Sequence, residues 1–96
     1  MSQQLVYCCS PSVVWVKDAG QTLVVDRKTQ QSWTLHGAEA VMWDLLTVGY
    51  SYQKLVTMLS LLLSFPTEEA GRTLADALEK WRDAGIVSAS QEANGG

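Results

Sequence analysis

Gln31-Ser32-Trp33-Thr34-Leu35-His36-Gly37-Ala38-Glu39-Ala40-Val41-Met42-Trp43-Asp44-Leu45-Leu46 is the stretch in which the pattern of the chain changes. Up to Leu35 the residues alternate. Trp33 and Leu35 point one way and Ser32 and Thr34 the other, as in a strand with one buried face. From Gly37 to Leu46 the apolar residues follow a helical period instead: Ala38, Val41, Met42, Leu45 and Leu46 form one stripe, with Trp43 on its shoulder.

Upstream of this junction the chain reads as strands. Val13-Val14-Trp15-Val16-Lys17 is β-branched and aromatic, which suits a strand. Asp18-Ala19-Gly20-Gln21 is a turn with Gly where positive φ is needed. Thr22-Leu23-Val24-Val25-Asp26 is a second strand, and Arg27-Lys28-Thr29-Gln30 links it to a third, Gln31-Ser32-Trp33-Thr34-Leu35. Such short links imply an antiparallel meander. Leu5-Val6-Tyr7 has the composition of a short extra strand before Pro11.

Downstream the pattern stays helical. Gly49 ends the first helix, and Ser51 is an N-cap for a second that runs to about Leu63. Its broad apolar arc of Tyr52, Leu55, Val56, Met58, Leu59, Leu62 and Leu63 predicts the central, most buried helix, with Leu61 off the arc. Pro66 separates it from a third helix, with Thr67 as its cap, Glu68 and Glu69 at the positive end of its dipole, and Gly85 as its stop. Ile86-Val87 closes the apolar sequence. The expected fold is α+β, a winged helix-turn-helix in which a three-stranded antiparallel sheet is followed by three helices. Residues 1–12 are an N-terminal segment with a short strand, 13–87 the folded domain, and 88–96 a polar, disordered tail. Trp33, Leu35, Val41, Leu45, Leu55, Leu59, Leu74, Leu78 and Trp81 are its expected core.

The totals narrow the function. The chain has 96 residues, enough for one domain, and 47% are apolar, too many for a disordered chain. Net charge is -3, and Arg27-Lys28 is the only basic pair, so the stripe that neutralises phosphates is missing. The third helix carries Glu68, Glu69, Asp76, Glu79 and Asp83 against Arg72, Lys80 and Arg82, a net charge of -2 that repels DNA. Nucleic acid is therefore not an expected partner, and a winged-helix DNA-binding regulator is the weakest alternative.

Catalytic and metal patterns are missing from the sequence as well. His36, the only histidine, reads as a capping residue where strand turns into helix. Neither phosphate-binding glycine pattern occurs. The adjacent Cys8 and Cys9 rarely bridge one another and lack the companions of a zinc site. No catalytic residue, metal or cofactor is expected. No apolar stretch reaches the ~20 residues that span a bilayer, and no secretion signal is visible, so the cytoplasm is the expected compartment.

What remains is a surface for a peptide. The third strand ends the meander and contains neither Gly nor Pro, so its backbone can pair with an added strand. Gln31, Ser32, Trp33 and Thr34 form this half of the candidate site. Gly71, Ala75, Leu78 and Arg82 fall on one line of the third helix and form the other. The alternative for Gly71 and Ala75 is close packing of the second helix.

Asp26 through His36, followed by Ala40-Val41-Met42-Trp43-Asp44-Leu45-Leu46, resembles the PqqD-like family. The likeness continues through Gly49-Tyr50-Ser51, Leu55-Val56, Leu78, Trp81 and Ala84-Gly85-Ile86-Val87, and covers roughly 13–87. This chain departs from the family pattern at four positions: His36 for Asn, Gly37 for Pro, Ser32 for an aromatic residue, and Trp81 for Leu. The resemblance implies a recognition element for ribosomally made, post-translationally modified peptides. Such an element binds a precursor's leader peptide as a strand between the third strand and third helix, without catalysis. A free-standing copy is most similar to the discrete leader-binding proteins of lasso-peptide pathways. The partners then implied are a transglutaminase-like cysteine protease as leader peptidase and an asparagine-synthetase-like cyclase. The alternative within the family is the peptide chaperone of pyrroloquinoline quinone biosynthesis.

Overall fold

A computed structural model describes residues 5–91. The chain runs β1 (Leu5–Cys9), β2 (Val13–Asp18), β3 (Gln21–Asp26), β4 (Gln31–His36), α1 (Ala38–Val48), α2 (Tyr52–Leu63), α3 (Thr67–Asp83) and β5 (Val87–Gln91). The fold is α+β, with the antiparallel sheet β2-β3-β4 followed by the three helices. A second, two-stranded sheet joins β1 to β5, with Cys9 opposite Val87 and Tyr7 opposite Ala89. Order thus continues past Ser88, where the tail was expected to begin. Backbone pairing with β1 holds 88–91, which carry no large apolar side chain, while 92–96 lie outside the described residues.

The β2–β3 hairpin turns through Ala19 at φ 49 and Gly20 at φ 82. Both central residues of this two-residue turn are left-handed, as the right-handed twist of a hairpin demands. In the three-stranded sheet Val24 lies between Trp15 and Trp33. Trp33 is half-buried, Leu35 buried, and Ser32 and Thr34 exposed, as the alternation predicts.

Helix α1 carries Ala40, Met42, Trp43, Leu45 and Leu46 into the core. Trp43 is the centre of the packing and not its shoulder. Its ring meets Trp15 edge-on at 5.7 Å and Trp81 edge-on at 5.2 Å, which ties the sheet to α1 and α1 to α3. Both the Trp43 and the Trp81 indole N–H are buried without an acceptor among the described residues.

Helix α2 is less buried than its broad arc predicts. Only Leu55 and Leu59 are fully inside, and Leu62 is 56% exposed. The helix packs chiefly against α3, α1 and β1. Of the three helices α1 packs on the three-stranded sheet, at β4, while α2 packs on the other helices and β1. Ser51 caps α2 as expected, accepting from the Lys54 N–H at 3.4 Å. The cap of α3 is Pro66 and not Thr67, because Pro66 keeps an extended ψ of 150° and Thr67 already has helical geometry. Gly85, at φ 80, stops α3.

The strand-to-helix junction takes its geometry from Gly37, at φ 56 and ψ -127. A proline, confined near φ -65°, cannot adopt that conformation. No side chain caps α1, so His36 does not act as the cap.

Candidate functional site

β4 lies at one end of the sheet order, so one of its two sides pairs with β3 and the other is open among the described residues. Gln31, Ser32 and Thr34 are exposed on it, and Trp33 is half-buried against the core. The strand presents unpaired donors and acceptors, which is what an added strand requires.

Two surfaces of α3 are concave. One is a cavity of about 320 Å³ lined by Tyr7, Tyr52, Ala75, Leu78, Glu79 and Arg82. Here the structure brings together Ala75, Leu78 and Arg82, three of the four helix residues expected to form the site. Gly71 sits close by, its carbonyl accepting from the Tyr52 hydroxyl at 3.3 Å. Burial, and then the neighbouring Tyr7, raise the pKa of that hydroxyl. The other walls are β1 and α2, and no residue of β4 contributes. The expected helix line and the expected strand therefore do not line one cavity.

The packing explains the separation. Leu74, Ala77, Leu78 and Trp81 face inward and set the phase of α3. That phase turns Ala75 and Arg82 toward α2 and β1. The opposite flank of α3, with Thr73, Asp76, Ala77 and Lys80, lines a cleft of about 300 Å³ together with Glu39 and Met42 of α1. α1 begins two residues after β4 ends. No residue of β4 lines this cleft either. Met42 and Ala77 are its apolar floor, and an ion pair of 2.8 Å between Lys80 Nζ and Glu39 Oε2 crosses from α3 to α1. Sequence reasoning missed this flank. Thr73, Asp76 and Lys80 recur at i, i+3 and i+7, but a mixed polar line reads as a solvated face until its neighbours are known.

Other polar groups are structural. Asp26 accepts from the Ser12 hydroxyl at 2.7 Å and the Lys28 N–H at 3.0 Å. These bonds, the Ser12 one foremost, hold its carboxyl below the usual carboxylate range and shape the β3–β4 turn. Cys8 and Cys9 are free thiols. Burial, and then Cys8, push the Cys9 thiol up to about 11, which keeps it protonated at neutral pH. Among the described residues no group of His, Cys, Asp and Glu is placed to hold a metal ion, and no helix is long and apolar enough to cross a membrane.

No family model matches the chain, and no curated protein matches it. Two solved structures share its fold. One is TbiB1 in complex with the TbiA(beta) leader peptide, with a TM-score of 0.80, 19% sequence identity, and coverage of 83% of this chain and 93% of that one. The other is a lasso peptide synthetase B1 complexed with the leader peptide, with a TM-score of 0.78, 16% identity, and coverage of 85% of this chain and 96% of that one. At such identities the likeness establishes the fold. It extends over nearly the whole of both neighbours.

Proposed function

We propose that this chain is a non-catalytic leader-peptide-binding protein of lasso-peptide biosynthesis, working in the cytoplasm. It captures a precursor peptide as an added strand along Gln31 to Thr34 of β4. It then holds the peptide for a separate leader peptidase, a transglutaminase-like cysteine protease, and for an asparagine-synthetase-like cyclase. The observation that carries this reading is the open edge of β4 among the described residues. The fold neighbours support it, since each was solved with a leader peptide bound. One of them is a lasso peptide synthetase B1, which favours this pathway over pyrroloquinoline quinone biosynthesis. The helix wall of the site is assigned to Thr73, Asp76, Ala77 and Lys80. The Gly71, Ala75, Leu78 and Arg82 line is its rival.

The test uses a labelled synthetic leader of the precursor peptide encoded beside this chain, titrated by fluorescence anisotropy. Adjacent residues of a strand turn their N–H groups to opposite sides. Of Gln31→Pro and Ser32→Pro, one therefore deletes a donor facing outward and the other a donor facing β3. The outward-facing variant should stay folded by circular dichroism and bind at least about tenfold more weakly, ~1.4 kcal/mol. Unchanged binding by both variants would reject strand addition. Mass spectrometry of the leader after incubation should find it intact, and cleavage traceable to this chain would reject the non-catalytic assignment.

A further inference from the structure

β4 is one edge of the three-stranded sheet, and β2 is the other. The two edges differ in chemistry. β4 carries the polar Gln31, Ser32 and Thr34. β2 carries Val14 at 43%, Trp15 at 40% and Val16 at 57% exposure, consecutive large apolar side chains open to solvent. Edge strands are ordinarily guarded by charge, by Pro or by a bulge. The charge nearest this stretch is Lys17, and its Nζ is held 3.0 Å from Asp44 Oδ2 of α1. An apolar edge without a guard is a template for another strand.

The hydrogen bonds fix which groups this edge offers. The Arg27 N–H donates to the Ser12 carbonyl at 2.9 Å, so that carbonyl faces β3. By alternation along the antiparallel ladder, the backbones of Val14 and Val16 face β3 as well. Val13, Trp15 and Lys17 then turn their N–H and C=O groups to the open side. The Val13 N–H is already given to the Ser10 carbonyl at 3.0 Å. The donors left to offer are those of Trp15 and Lys17.

We infer that β2 pairs with β2 of a second copy of this chain, antiparallel and centred on Trp15. Two-fold symmetry then sets Trp15 against Trp15 of the second copy, Val14 against Val16, and Lys17 against Val13. Each Trp15 N–H donates to the other copy's Trp15 carbonyl. Each Lys17 N–H donates to a Val13 carbonyl, on the residue whose own N–H is engaged elsewhere. Every offered donor therefore gains a partner. A slide of two residues spoils the match. In one direction Lys17 meets Pro11, in the turn before β2. In the other, Val13 meets Ala19, at φ 49 in the hairpin turn. Like charges stay apart in the centred register, since neither Lys17 nor Asp18 faces its own copy. On the outer face Val14 and Val16 lie beside Val25 and Leu23, so each copy adds four aliphatic side chains to one band. α1 packs on this sheet at β4, away from the seam. Both β4 edges stay open at the ends of the joined sheet.

Sedimentation velocity of the full chain over a concentration series tests the inference. A seam one strand wide is at the small end of protein interfaces, so the pairing is reversible. The weight-average mass should rise from the 10.5 kDa of one chain toward twice that value. The rise should fall between about 1 μM and about 1 mM. Val14→Lys/Val16→Lys should stay folded by circular dichroism, because both side chains are exposed. It should remain monomeric throughout, because each introduced lysine meets one from the other copy across the seam. Val14→Glu/Val16→Lys keeps the net charge at -3 and places opposite charges at the same points. It should restore the dimer, more weakly as salt is added. A parent that stays monomeric up to about 1 mM overturns the inference. So does a Val14→Lys/Val16→Lys protein that associates like the parent, which would place the contact on another edge. Equal association by the two double variants would overturn the centred register and the inference with it.

Discussion

Gly71 is the residue whose role changes most once its surroundings are known. A glycine inside a helix costs ~1 kcal/mol relative to Ala, which invites a compensating close approach. Its neighbours provide none: a Cβ built there meets nothing within 4 Å. Gly71→Ala should therefore stabilise the protein by about 1 kcal/mol, read as a rise in the urea midpoint. A fall in the midpoint would mean that Gly71 accommodates a contact the helix needs. Asp26 makes a prediction of a different kind. Hydrogen bonds depress its carboxyl in the folded state, so it contributes stability above its unfolded value near 3.8, and this contribution is lost as pH falls through the lower folded value. Asp26→Asn keeps the shape but not the titration. The melting temperature of the parent should fall more steeply between pH 5 and pH 3 than that of Asp26→Asn. Parallel curves would show that the Ser12 bond does not favour the charged form.

At the scale of elements, the strands and helices were legible because their signals are local. Alternation at Trp33 and Leu35 located β4, and Ser51 and Gly85 marked a start and a stop from their own chemistry. What could not be read was which flank of α3 faces α1 and which faces α2 and β1. Ala75 and Thr73 are both plausible wall residues by spacing. Only the contact of Trp81 with Trp43, and of Trp43 with Trp15, turns one flank toward α1 and the other toward Tyr7 and Tyr52. The same reasoning explains Leu62: its apolar spacing is real, but no third layer covers it. Paired substitutions separate the two walls. Thr73→Trp fills the α1–α3 cleft and should weaken leader binding about tenfold, ~1.4 kcal/mol. Ala75→Trp fills the opposite cavity and should leave binding unchanged. The reverse outcome, with both proteins folded, would move the peptide to the Tyr7–Tyr52 flank.

Across the whole molecule, the two ends of the described chain clasp each other. β1 and β5 pair over Leu5–Cys9 and Val87–Gln91, and this places Tyr7, 7% exposed, and Val87, 3% exposed, in the core. The clasp was only half legible: a strand near Leu5 has an apolar signature, whereas Ser88-Ala89-Ser90 has none and is held by its backbone. Deleting residues 88–96 should therefore lower the melting temperature by roughly 5 °C or more, which a disordered tail would not do. The clasp forms a separate sheet from β4, so among the described residues the edge of β4 stays open while the two ends of the chain pair elsewhere. The central claim, that a leader peptide adds as a strand to that edge, is tested most directly by residue-resolved amide hydrogen exchange with and without the leader. Outward-facing amides of Gln31 to His36 should slow at every second residue when the leader is bound, because only those donors gain a partner. Unchanged exchange along β4, with protection appearing only in β1, α2 or the Ala75 flank of α3, would contradict strand addition.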